Sequence, residues 1–201
     1  MMKIPKIVEA YYPNLVWRIP TDKKEIYLTF DDGPTPYVTK WVLDILNEYN
    51  AKATFFCLGK NVRDHPVIFK RILREGHRIG NHTYNHNNGW NSRNYKYVKS
   101  VMKCDKYVAS NLFRPPYGRI KKTQIRRLKD RFKIIMWDVL SQDYDHHISP
   151  DKCLDIVLNQ TKNGSIVVFH DSRKASKNLK YTLPIILKTF ANKGYVFRSI
   201  D

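Results

Sequence analysis

Cysteine is scarce in this 201-residue chain. Cys57, Cys104 and Cys153 are odd in number and widely spaced, so they suggest neither a disulfide framework nor a Cys-x-x-Cys metal site and predict buried free thiols. Long apolar runs are missing as well. Met1–Pro20 mixes lysines, prolines and aromatics with no stretch of signal-peptide length, and no later run approaches a membrane span. The expectation is a cytoplasmic protein or one peripheral at a membrane. Acids are few, 18 Asp+Glu against 36 Lys+Arg, and the net charge of +18 favours an anionic partner: nucleic acid, a membrane surface or an acidic glycan. No repeat or low-complexity linker divides the chain. With 42% apolar residues it reads as one domain over 1–201, its core at about 24–200.

What is present is an alternation of short apolar strands and amphipathic helices. Ile26–Phe30 reads as a buried strand ended by Gly33-Pro34, Val38–Asn50 as a helix, and Ala53–Leu58 as a second strand. Asp64 and Pro66 mark a helix start and Gly76 its end; Arg78–His82 is a third strand, and Tyr97, Val101 and Val108 lie on the next helix. Leu112-Phe113 leads into a rigid loop, Arg114-Pro115-Pro116-Tyr117-Gly118. Residues 119–133 carry eight lysines or arginines against one acid and read as a strongly basic helix. Phe132–Trp137 is a strand, Ser149-Pro150 opens a helix closed by Gly164, and Ile166–Phe169 is a strand. Leu183 to Phe190 lie on a last helix with Pro184 in its first turn, before a final strand at Tyr195–Ile200. Seven strands alternating with helices predict an all-parallel α/β sheet. Its polar clusters follow strand ends, where loops of barrel-like folds build active sites.

Two carboxylates, Asp31 and Asp32, stand where the first strand ends. Strand neighbours point to opposite faces, so they can share a site only where the chain leaves the sheet, a turn that Gly33 permits. Carboxylates this close need a metal or an arginine to stay ionised. His82 and His86, four apart, suit two imidazoles on one helical turn sharing a metal. Together with Asp32 they would make a borderline-soft site with open positions, which fits zinc and admits other divalent metals. Arg114 could pair with Asp31 and hold it ionised as a base. Asp143 follows one strand and His170-Asp171 the next, so a carboxylate could orient the His170 ring and keep it protonated. Asp138, Asp145, His146 and His147 read as loop residues.

The set resembles the polysaccharide deacetylases of carbohydrate esterase family 4, in five motifs that occur in order. These are Thr29-Phe30-Asp31-Asp32-Gly33, His82-Thr83-Tyr84-Asn85-His86, Arg114-Pro115-Pro116-Tyr117-Gly118, the segment Trp137 to Tyr144, and Ile166 to Asp171. The fourth departs from the common form, with Leu140 where an aspartate often stands and Tyr144 in place of tryptophan; Asp143 remains. The resemblance implies a deformed (β/α)7 barrel of mostly parallel strands and metal-dependent removal of an acyl group, acetyl first, from the amide nitrogen of an amino sugar. It implies Asp32, His82 and His86 as ligands of Zn2+, with Co2+, Ni2+ or Mn2+ admitted. It makes Asp31 the general base, His170 the general acid, Arg114 and Asp143 their orienting partners, and the Tyr117 backbone N–H an oxyanion donor.

The implied partner is an N-acetylated glycan, with an anionic membrane surface or a lipid-linked sugar as a further partner for the basic segment. A catalytically inactive glycan-binding protein of the same fold is the alternative, which the intact base, acid and ligands oppose. A nucleic-acid-binding protein ranks below it, because zinc-finger spacing, a glycine-rich phosphate loop and RNA-binding aromatic motifs are all missing.

Overall fold

The structure, a computed structural model, describes residues 11–201; the part of the N-terminal reading that falls on residues 1–10 lies outside them. Among the described residues nine strands form one sheet around β2 (Glu25–Asp31), whose Ile26, Leu28 and Phe30 are fully buried. β2 pairs in parallel with β3 (Thr54–Cys57) on one side and β8 (Ile166–His170) on the other, in a register that sets Asp31 opposite both Phe56 and His170. Beyond β3 lie β4 (Arg78–Asn81), β5 (Leu112–Phe113), β6 (Lys133–Ile135) and β1 (Leu15–Val16). Beyond β8 lies β7 (Val139–Leu140), and β9 (Val196–Phe197) pairs with the start of β2.

β6 and β7 sit near opposite ends of this order yet are consecutive in the chain, joined by Met136-Trp137-Asp138. The Asp138 N–H donates to the Ile166 carbonyl at 3.3 Å, so this link closes the sheet into the expected barrel, deformed where a short connector replaces paired strand. The two-residue strands β1 and β7 were not among the seven expected.

Seven α-helices among the described residues cover the sheet: α1 (Val38–Glu48), α2 (Gly59–Asp64), α3 (Pro66–Arg74), α4 (Asn94–Asp105), α5 (Lys122–Leu128), α6 (Pro150–Gln160) and α7 (Ser176–Asn192). Each buries one stripe, as Val38, Val42, Leu43 and Leu46 do on α1, and each such side chain contributes about 1.5–3 kcal/mol. Ser149 caps α6, its hydroxyl accepting the Lys152 N–H at 3.2 Å. All three cysteines are free and buried. No helix among the described residues is long and apolar enough to cross a membrane.

Four local expectations need correction. Asp64 ends α2 rather than opening α3, whose first residue is Pro66. α6 stops at Gln160; Gly164 lies beyond it in a left-handed turn, where a Cβ would fall 1.9 Å from the Ile19 carbonyl oxygen. The basic segment is helical only over Lys122–Leu128, because Arg119 is extended and Lys133 already belongs to β6. Pro184 stands inside α7, which begins at Ser176. An interior proline costs about 3 kcal/mol. Here Leu179, Leu183, Ile186, Leu187 and Phe190 are buried on both sides of it and hold the helix together.

Candidate active site

Asp31 is the last residue of β2 and Asp32 the first beyond it, with a left-handed φ of 81°. That turn lets the two carboxylates share one cleft. Gly33 is needed at the next position, since a Cβ there would lie 2.0 Å from Asp171 Oδ2. The Asp171 carboxylate accepts the Gly33 N–H at 2.9 Å and the Thr39 hydroxyl, and Asn61 Nδ2 donates to the Asp32 carbonyl at 2.7 Å. The turn is therefore held from two sides.

Arg114 fills the barrel interior, wholly buried. One terminal nitrogen donates to Asp31 Oδ1 at 2.8 Å and Thr29 Oγ1 at 2.7 Å, the other to the Met136 carbonyl at 2.9 Å, and Nε to the Ile135 carbonyl at 3.3 Å. Its guanidinium also lies 4.1 Å from the Phe56 ring centroid. Burial pushes Asp31 upward, but the charge of Arg114 and its hydrogen bond, with His82 and His170, outweigh it and hold the carboxyl below the usual range.

His82 and His86 do not lie on a helical turn, as their spacing suggested. They stand on an irregular loop after β4 in which Thr83 and His86 both have positive φ, 65° and 56°. The buried Asn81 sets this loop, its Oδ1 accepting the Thr83 N–H at 2.9 Å. The Arg114 carbonyl can only accept, so at 2.8 Å His82 Nδ1 donates to it, leaving Nε2 with its lone pair toward the cleft. Burial pushes His82 down to about 4 and lowers His86, so both rings are neutral near pH 7.

His82 Nε2 and His86 Nε2 lie 3.8 and 3.3 Å from Asp32 Oδ1, and the three ligand atoms are within 4.8 Å of one another. Asp32 Oδ1 is buried without a hydrogen-bond partner. A buried carboxylate oxygen left unpaired between two neutral imidazoles is costly unless a cation is shared among them. The donor set fits a divalent metal.

On the other side, His170 ends β8. Its Nδ1 is 2.8 Å from Asp143 Oδ1, and its backbone N–H donates to Asp143 Oδ2 at 2.8 Å. The orienting carboxylate is thus Asp143, while the adjacent Asp171 serves the Gly33 turn. Burial alone would lower His170; the charge and hydrogen bond of Asp143, with Asp31 and Asp32 adding, raise it to about 9. Tyr144 packs edge-on to the His170 ring at 4.8 Å, and Tyr117, with φ of 61°, sets its ring 4.5 Å from His86. Thr29, Asn61, Asp171 and Asn178, which donates to the Asp143 carbonyl at 3.3 Å, are supporting residues without a sequence-derived role. Thr29 and Asp171 at least stand inside motifs; Asn61 and Asn178 carry no signal.

Residues 18–131 match the polysaccharide deacetylase family. A peptidoglycan N-acetylglucosamine deacetylase of Bacillus cereus is 34% identical over 195 residues, covering 93% of this chain and 91% of that one. A chitooligosaccharide deacetylase of Azorhizobium caulinodans is 34% identical over 166 residues, 77% of each chain. A solved structure of a peptidoglycan N-acetylglucosamine deacetylase, in complex with 4-naphthalen-1-yl-N-oxidanyl-benzamide, matches at a TM-score of 0.89 and 33% identity over 99% of this chain and 95% of that one. Other curated relatives are longer, and the chain spans 58% of one and 41% of another. Similar over nearly its whole length to the Bacillus cereus enzyme and to the solved deacetylase, and with all five motifs meeting at one mouth of its barrel, the chain belongs to the polysaccharide deacetylase family, carbohydrate esterase family 4.

Proposed function

We propose that this carbohydrate N-deacetylase releases an acyl group, acetyl first, from the amide nitrogen of an amino sugar in a glycan, using a divalent metal held by Asp32, His82 and His86. The unpaired Asp32 Oδ1 facing two neutral imidazoles carries this reading. Zinc suits two nitrogens and one carboxylate best. When bound, such a metal supplies Lewis acidity to an amide carbonyl and to an attacking water.

The chain's own residues do the rest. Asp31, kept ionised and aimed by Arg114, accepts the proton of the attacking water. The backbone N–H of Tyr117 faces the oxyanion that develops on the former carbonyl. His170, cationic beside Asp143, protonates the departing amine; without that proton the tetrahedral intermediate would expel water instead. Relatives named for peptidoglycan and chitooligosaccharides support N-acetylglucosamine-containing glycans as the substrate class.

N-acetylglucosamine oligomers assayed for free amine, with and without added zinc, test the reading. Release that needs metal and stops on chelation, with circular dichroism unchanged because the apolar core does not depend on the ion, is expected. Binding of the oligomers without release under any divalent metal would favour the inactive glycan-binding alternative.

The basic helix supports a peripheral placement. Arg126, Arg127 and Lys129 are exposed, and none joins an ion pair among the described residues. Near an anionic bilayer each such cation adds roughly 1 kcal/mol. Arg126→Glu with Arg127→Glu should weaken low-salt sedimentation with anionic liposomes while hydrolysis of a neutral oligomer continues. Full retention of binding by the double variant would remove the membrane from the account.

A further inference from the structure

Trp90 is 56% exposed, yet it is held firmly. Its indole Nε1 donates to the Ile120 carbonyl at 3.3 Å and its N–H to Asn88 Oδ1 at 3.0 Å. The neighbouring Gly89 N–H donates to the Arg119 carbonyl at 3.2 Å, a closeness that needs glycine because a Cβ there would lie 2.3 Å from that oxygen. Gln124, fully buried, ties the two loops: its Nε2 donates to the Gly89 carbonyl and its Oε1 accepts the Lys121 N–H, both at 2.9 Å. Such a network around a surface tryptophan fixes the ring in advance of any ligand.

Arg119 lies over this ring, its guanidinium carbon 5.2 Å from the Trp90 centroid and 6.0 Å from that of Tyr117. Tyr117 in turn touches His86. A continuous path of side chains thus runs from the candidate metal ligands out to Trp90. Arg119 is exposed and joins no ion pair among the described residues, so its donors face solvent.

We infer that Trp90 and Arg119 form a sugar subsite beside the cleft that takes a carboxylate-bearing residue of the glycan chain. The inference rests on the deacetylase reading for the position of the reacting amide. An aromatic face accepts the C–H face of a sugar ring, and a guanidinium fork beside it matches a carboxylate with two parallel hydrogen bonds. A tryptophan alone would serve any sugar; the unpaired arginine above it selects an acidic one. Because the tryptophan ring is fixed beforehand, little of its freedom is lost on binding.

Two substrates of equal length test it: a neutral N-acetylglucosamine oligomer, and a strand in which N-acetylglucosamine alternates with a carboxylate-bearing N-acetylated sugar. Arg119→Gln is expected to cut the acidic-to-neutral ratio of kcat/KM about tenfold, mainly through KM, and to remove the rise of the acidic KM with salt expected of the wild type. Trp90→Ala should raise KM for both strands, with Trp90→Phe restoring most of the loss. An unchanged ratio in Arg119→Gln overturns the subsite. If the wild type released amine from neither strand, the deacetylase reading would fail instead, and direct binding would judge the subsite separately: Arg119-dependent affinity for the acidic strand keeps it, and equal affinity for both removes it.

Discussion

Arg114→Leu is expected to lower stability by about 3–5 kcal/mol, because it strands the Asp31 carboxylate in the barrel interior with no cation. At about 2–4 °C per kcal/mol for a chain of this size, the midpoint of thermal unfolding should fall by roughly 6–20 °C. The Ile135 and Met136 carbonyls lose their donors in the same change, which adds to the cost. The effect has a pH signature. In the wild type Asp31 lies below its unfolded value, so its contribution is present above the ordinary carboxylate pKa and is lost as pH falls. In the variant burial is opposed by His82 and His170 alone, so the folded value rises from its wild-type position and less stability is lost in acid. The stability gap between the two proteins should therefore narrow from pH 7 toward pH 4. Urea unfolding at several pH values checks this; a gap that widens in acid would contradict the pairing. Arg114→Lys keeps the charge but not the fork and should lie between.

Asp31→Asn should reduce kcat/KM on the order of a hundredfold or more, since an amide of the same shape cannot accept the proton. It also leaves the buried Arg114 charge without its partner, so folded fraction must be measured alongside rate. Metal content should survive. Below pH 7 the wild-type profile should fall as Asp31 protonates, and above it as His170 loses its proton. The latter group is raised to about 9 by the protein alone. With a dication held at Asp32, that basic limb lies lower. Asp143→Asn removes the charge that raises His170, so the basic limb should move further toward neutral pH. A limb that stays in place in Asp143→Asn, or near-normal turnover in Asp31→Asn on an unactivated acetamide, would sink these assignments.

The parts of this molecule that could be read in the sequence share one property: their chemistry is local. Ile26–Phe30 and Ile166–Phe169 are apolar because they are buried on both faces, and Asp31, His170 and Arg114 stand at strand ends where a parallel barrel needs its loops. The barrel's closure was not legible, because β7 has only two residues and Met136-Trp137-Asp138 is defined by what it joins. Pro184 argues locally for a helix start, and only the apolar residues buried on both sides of it overrule that. The spacing of His82 and His86 points to a helical turn, whereas an irregular loop carries them. A left-handed φ at Thr83 leaves no mark in residue type and one at His86 only a faint one, whereas one at glycine is expected. Asn61 and Asn178 act through backbone carbonyls far away in the chain, and nothing beside them in the sequence announces it.

The metal centre is the claim on which the rest depends, and elemental analysis of the purified protein beside Asp32→Ala and His82→Ala tests it most directly. The account predicts about one divalent ion per chain in the wild type, with ion and amine release lost together in both variants while their circular dichroism is unchanged. The same metal content in the two variants as in the wild type would contradict it.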